Sequence, residues 1–211
     1  FLTVGIPGLP YEFNSKYIMD ETPTWSRSNG LYGYYVTLKH NVDPDGPYLI
    51  KGSWWGTPMN RIVFRYADVM LERAEALAQL NDGRLNEAIS IVNRLRTRAK
   101  QSLGAISDYE NSYGVRLNIG LYNGSYGKEE TLKIVKMERR IELGMESERF
   151  FDLVRWGEAE SVLTKYYAEE ADNCAIYSSA RFTKNKNEYL PIPHAQVAAS
   201  DGNYTQNIGG W

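Results

Sequence analysis

Residues 138–157 read Glu-Arg-Arg-Ile-Glu-Leu-Gly-Met-Glu-Ser-Glu-Arg-Phe-Phe-Asp-Leu-Val-Arg-Trp-Gly, alternating charged and bulky apolar residues with almost no small polar filler. The basic residues are Arg139, Arg140, Arg149 and Arg155, with no lysine among them. On a purely solvated face lysine serves equally well. A planar guanidinium is favoured where carboxylates are held bidentately and partly out of water. The acids for such pairs are close by: Glu138, Glu142, Glu146, Glu148 and Asp152. The stretch reads as two helices meeting, with an ionic network over an apolar seam. It is architecture and not an active site.

Helical periodicity elsewhere supplies the partners. Between Tyr66 and Leu80, apolar residues fall at 66, 69, 70, 74, 77 and 80, which predicts a helix. Asn81-Asp82-Gly83 breaks it, Gly83 being able to take a left-handed turn conformation. A second helix follows from about Asn86 to Arg98, apolar at 85, 88, 89, 92, 95 and 99. So short a break predicts an antiparallel hairpin. Ala76, Gly83, Leu85 and Ala88 sit where a tetratricopeptide unit wants small, turn, large and small residues. A third helix is expected over 128–145, with Ile134, Met137, Ile141 and Met145 on one stripe. Ser147 is placed to cap a fourth, which carries Phe150, Phe151 and Val154. Another helical segment, about 158–171, presents Ala159, Val162, Leu163, Tyr166 and Tyr167.

The remainder is irregular. Residues 1–60 hold six of the eight prolines and favour short strands or extended loops, with 31–38 the best strand candidate. Residues 101–127 form a connector long enough for a functional loop, and the tail from Asn173 is expected to be extended. The fold class is therefore mainly α: helical hairpins of tetratricopeptide-like design, with long irregular loops and short strands.

Totals narrow the function. Acids outnumber bases 26 to 24 in 211 residues, which argues against nucleic acid as a partner. One cysteine, Cys174, excludes an intrachain disulfide framework and a cysteine metal cluster, and two histidines leave little for a His-rich metal site. No cofactor is expected. No apolar run approaches the length of a spanning helix. The first residue is Phe, and 1–10 lacks the features of a signal peptide, so the expectation is a chain that begins inside a longer protein.

Four motifs now stand in order. They are Arg65-Tyr66-Ala67-Asp68-Val69-Met70-Leu71 with Ala74-Glu75-Ala76-Leu77, and Asn93-Arg94-Leu95-Arg96-Thr97-Arg98-Ala99. Then come Glu138 to Leu143 with Arg149-Phe150-Phe151-Asp152-Leu153 and Arg155-Trp156-Gly157, and Tyr189-Leu190-Pro191-Ile192-Pro193 with Tyr204-Thr205-Gln206-Asn207. Together they resemble the SusD/RagB family of surface glycan-binding lipoproteins. Ser147 departs from the glycine usual there, and the ending Ile208-Gly209-Gly210-Trp211 departs from Pro-Gly-Tyr. The resemblance implies one SusD-like domain whose N-terminal part is missing, with 61–211 its C-terminal helical region and 1–60 contributing to the binding face. It also implies outer-membrane anchoring through an N-terminal lipidated cysteine. Delivery of the glycan to a SusC-like TonB-dependent transporter follows from the same resemblance.

Sugar binding without catalysis needs flat aromatic faces and a polar fringe. Trp54 and Trp55, flanked by Gly52, Ser53 and Gly56, are the leading ligand-binding candidates, with Tyr32 and Tyr34 on one face of the nearby strand. The alternative is that all four cover the hairpins as ordinary core. Trp25, Tyr109, Tyr113, Tyr122 and Tyr126 rank second, and Trp156 reads as structural. Asp43-x-Asp45-Gly46 lacks the acids of a calcium loop and reads as a turn. Glu138 and Glu142 lie one turn apart, yet arginine neighbours holding them ionised disfavour a general acid, so no catalytic residue is assigned. His194 reads as structural. The other function class is a tetratricopeptide-type protein-interaction scaffold without direct glycan binding.

Overall fold

The structure, a computed structural model, describes residues 2–3, 36–37, 48–50, 52, 56–58, 60, 62–102 and 118–207. The chain divides into two compact units, Phe1–Ser15 with Val36–Ser147, and Lys16–Tyr35 with Glu148–Trp211. The described residues are mainly helical.

The first unit is built on a hairpin of α1 (Tyr66–Leu80) and α2 (Leu85–Ser102). In α1 the buried apolar residues Ala67, Met70, Leu71, Ala74, Leu77 and Ala78 recur at helical spacing. Asn81 ends the helix in the left-handed region (φ 51°), and its N–H bonds the Leu77 carbonyl at 3.3 Å. Gly83 follows at φ 93°, so the expected breaker takes the expected conformation. Ala88, Ile89, Val92 and Leu95 of α2 complete the facing stripe.

Residues 118–127 then run back along α2. The Asn93 side chain donates to the Tyr122 carbonyl and accepts from its N–H, both at 2.8 Å, pairing with that peptide as a strand would. Arg96 donates to the Gly120 carbonyl at 2.5 Å and lies over the Tyr122 ring. This return brings α3 (Lys128–Glu142) to its start beside the end of α1, where Lys128 donates to the Gln79 carbonyl at 3.0 Å. Helix α3 therefore runs antiparallel to α1, with Glu129 and Glu130 in its first turn and Arg139 and Arg140 in its last, as the helix dipole favours. Its Ile134 and Val135 join the core of α1 and α2.

The stripe expected on α3 is corrected. Ile134 is buried, but Met137, Ile141 and Met145 are exposed. The buried face is instead Thr131, Leu132, Ile134, Val135, Glu138, Arg139 and Glu142. Charged residues entered the core because arginines from α1 and α2 meet them there. Helix α3 also ends at Glu142, short of the expected Met145, and Ser147 is no extended capping residue. It sits at φ 72°, as does Met145 at φ 66°, so the turn over 143–147 uses left-handed backbone twice.

The other described parts of this unit are short. Strand β1 (Leu2–Thr3) pairs antiparallel with β2 (Val36–Thr37), inside the expected strand, and an isolated bridge joins Ile50 to Gly56.

The second unit begins with α4 (Glu148–Arg155), which buries Asp152 and Leu153. Gly157 (φ 69°) closes it: its N–H bonds the Val154 carbonyl at 3.0 Å, and that of Glu158 bonds Leu153 at 2.9 Å. These are the paired bonds of a Schellman stop. Helix α5 (Ala159–Glu170) follows, then α6 (Ile176–Ser179) and α7 (His194–Ala198). The tail is thus not wholly extended, as two short helices interrupt it. Residues 189–193 stay non-helical, as their prolines require. Gln206 holds them by the device seen at Asn93, accepting from the Ile192 N–H at 2.7 Å and donating to its carbonyl at 2.9 Å.

Candidate functional site

The carboxylates of the ionic stretch are anchored by the hairpin. Arg65, at the start of α1, donates through Nη1 to Glu142 at 2.7 Å and through Nε to Glu146 at 2.6 Å. Its Nη2 reaches the Glu142 backbone carbonyl at 2.6 Å, at the end of α3 where that carbonyl lacks a helical partner. Arg98 adds bonds to both Glu142 oxygens at 2.7 and 2.9 Å, and Arg96 binds Glu138 at 2.9 Å. Arg139 and Asp68 form an ion pair at 2.8 Å with both side chains almost wholly buried. Burial works against the Arg65 cation, but its bonds to Glu146 and Glu142 outweigh that and raise its pKa.

Glu138 behaves otherwise. Burial raises its pKa and nearby Glu142 adds to this, the Arg96 bond opposing both. The expectation that arginine alone sets the state of these acids is corrected here, because desolvation wins at Glu138. A raised pKa is what a general acid needs, yet Glu138 is 4% exposed and Glu142 3%, so neither offers a face to a glycosidic oxygen.

The leading ligand candidates, Trp54, Trp55, Tyr32 and Tyr34, lie outside the described residues, as do Trp25, Tyr109, Tyr113, Asp43 and Asp45. Ile50 and Gly56, which flank the tryptophan pair in sequence, bond each other through both backbone groups at 2.8 and 3.2 Å. Of the second-rank tyrosines, Tyr122 and Tyr126 pack against the core, edge to face with centroids 6.0 Å apart. Trp156 lies beneath two guanidinium groups, Arg155 at 4.9 Å and Arg149 at 5.8 Å, consistent with a structural role. His194 opens α7. In the second unit, Tyr167 stacks on Tyr177 at 5.6 Å and Tyr166 meets Tyr177 edge-on. A hydrogen bond with Tyr177, and burial after it, push the Tyr166 pKa up to about 12.

One concave surface went unrecognised in the sequence. A groove of about 420 Å³ lies between α1 and α2, lined by Tyr66, Val69, Met70 and Arg73 on one helix and Glu87, Ser90, Ile91 and Arg94 on the other. Tyr66 is 67% exposed and Val69 53%. The apolar stripe read at 66, 69, 70, 74, 77 and 80 is therefore two surfaces: Met70, Ala74 and Leu77 face the core, while Tyr66 and Val69 face the groove. Arg73 pairs with Glu87 at one end, and Arg94 lies 5.9 Å from the Tyr66 ring centroid. Leucine and valine of either surface look alike in a hydrophobic count. The signal that separates them is the flanking arginines.

Among the described residues, no group of three or more His, Cys, Asp or Glu side chains is placed to hold a metal, and no helix is long and apolar enough to cross a membrane. A model described as the SusD family matches residues 8–211. The chain is 31% identical over 150 residues to SusD-like protein P2 of Formosa agariphila, covering 71% of this chain and 26% of that protein. It is 39% identical over 107 residues to SusD-like protein P38 of the same organism, covering 49% of this chain and 18% of that one. The matched stretch thus spans about a quarter of the first relative and under a fifth of the second.

Proposed function

The chain belongs to the SusD family, and from that premise we propose that it serves in non-catalytic capture of an oligosaccharide or polysaccharide at the outer-membrane surface. The glycan passes to a SusC-like TonB-dependent transporter, and the whole protein is held at the surface by a lipidated cysteine outside these 211 residues. The observation that carries this reading is the family match across 8–211, over a helical scaffold whose motif residues pair with one another. The burial of Glu138 and Glu142 supports capture over hydrolysis.

The ligand platform in this reading is Trp54 and Trp55 with Tyr32 and Tyr34. One ring stacked on a pyranose face is worth about 1.4 kcal/mol, or about tenfold in affinity. Calorimetric titration of the full gene product with a panel of oligosaccharides tests this, and Trp54→Ala or Trp55→Ala should weaken binding by about that factor. A protein that binds no glycan ends the capture reading. One that binds with both variants unimpaired ends the platform alone.

A further inference from the structure

The hairpin has two usable faces, and α3 covers one of them. There α3 contributes Ile134 and Val135 to an apolar core and sends Glu138 and Glu142 to Arg96 and Arg98 of α2. The groove repeats those requirements on another side. Tyr66 and Arg73 stand about 140–160° round α1 from Asp68, the residue that binds Arg139 of α3, at about 100° per residue. The groove has an apolar floor of Val69, Met70 and Ile91 and an aromatic wall in Tyr66. Arg73 is matched by Glu87, but Arg94, one turn before Arg98, makes no ion pair among the described residues and meets only the Tyr66 ring. Just upstream, Phe64 is 78% exposed.

We propose that this groove seats a second amphipathic helix, which lays apolar side chains on Val69 and Ile91 and gives an Asp or Glu carboxylate to Arg94. The helix belongs to the same polypeptide, outside these 211 residues. Two observations choose that source. The matched stretch covers only 26% and 18% of its relatives, leaving ample chain of the same design. Stacked helical hairpins also bury each face against a neighbour from the same chain. The proposal stands whether or not the protein binds glycan.

The test replaces Val69 by the photocrosslinker p-benzoyl-phenylalanine in the full gene product, with thermal melting to verify that the variant is folded. Illumination should give a product of monomer size. Mass spectrometry should place the crosslink in a helical segment outside these residues, with an Asp or Glu within one turn. Arg94→Glu should lower the yield several-fold and Arg94→Lys should restore most of it. A second variant, Val69→Cys, should react with maleimide only after denaturation. A dimer-sized product, a crosslink to another protein, a crosslink within the 211 residues, or free maleimide labelling of the folded protein would each overturn the proposal. So would a gene product that ends at these 211 residues.

Discussion

Ser147 shows what a single departure from a family pattern does to backbone energy. It occupies a left-handed position (φ 72°) where the family uses glycine. An L-residue there carries about 1–2 kcal/mol of steric strain. Glycine removes that strain and loses about 0.4–1 kcal/mol through its freer unfolded chain. Ser147→Gly is therefore expected to stabilise the protein by about 1 kcal/mol, read from the urea midpoint. Glu138 makes a second prediction, through pH. Its pKa is raised on folding, so the folded state holds the proton more tightly than the unfolded state. The associated stability is present at low pH and lost as pH rises from the unperturbed glutamate value, about 4.3, through the raised one. The stability difference between Glu138→Gln and the parent should shift in favour of the variant between about pH 4 and about pH 7, as denaturation at each pH measures. A shift of opposite sign would mean that Arg96 outweighs burial.

Among the elements, α1, α2 and their turn follow from periodicity and from Asn81-Asp82-Gly83, because one face of each helix is simply buried against the other. Helix α3 did not follow as well. Its core face includes Glu138, Arg139 and Glu142, and a count of apolar residues chose Met137 and Ile141 in their place. Which side of a charged helix faces inward depends on Arg65, Arg96 and Arg98, far away in sequence. The side-chain amides were likewise silent until folded. Asn93 and Gln206 each hold one residue of an extended segment by both backbone groups, which gives physical content to motifs first read as letters. Asn93→Ala leaves the Tyr122 N–H and carbonyl without that partner, at an expected cost of about 1–3 kcal/mol. Hydrogen exchange at the Tyr122 amide should accelerate. Asn93→Asp, which retains the acceptor, should protect that amide better than alanine does.

At the scale of the whole molecule, family and helical class were legible because both rest on long, ordered, strongly patterned segments. The candidate glycan platform rests on adjacent aromatics in a proline-rich region, and such residues serve core and ligand equally well, so composition cannot rank them. The groove was hidden for the converse reason, since its apolar residues were absorbed into a core stripe. The ionic stretch that identifies the chain is scaffold: its acids are buried under arginines and face no ligand.

The Arg65 clasp has a kinetic consequence. Its partners Glu142 and Glu146 lie 77 and 81 residues away along the chain. The α1–α2 hairpin closes over a short turn, whereas the clasp waits until α3 has returned along 118–127 and docked. Contacts of such long sequence separation form late, and interactions absent from the transition state act on unfolding rather than folding. Arg65→Ala should therefore speed unfolding several-fold and leave the refolding rate nearly unchanged in stopped-flow measurements. Slowed refolding would instead place the clasp in the folding nucleus. Arg65 is thus a latch, with little part in how the three helices find one another and a large part in how long they stay together.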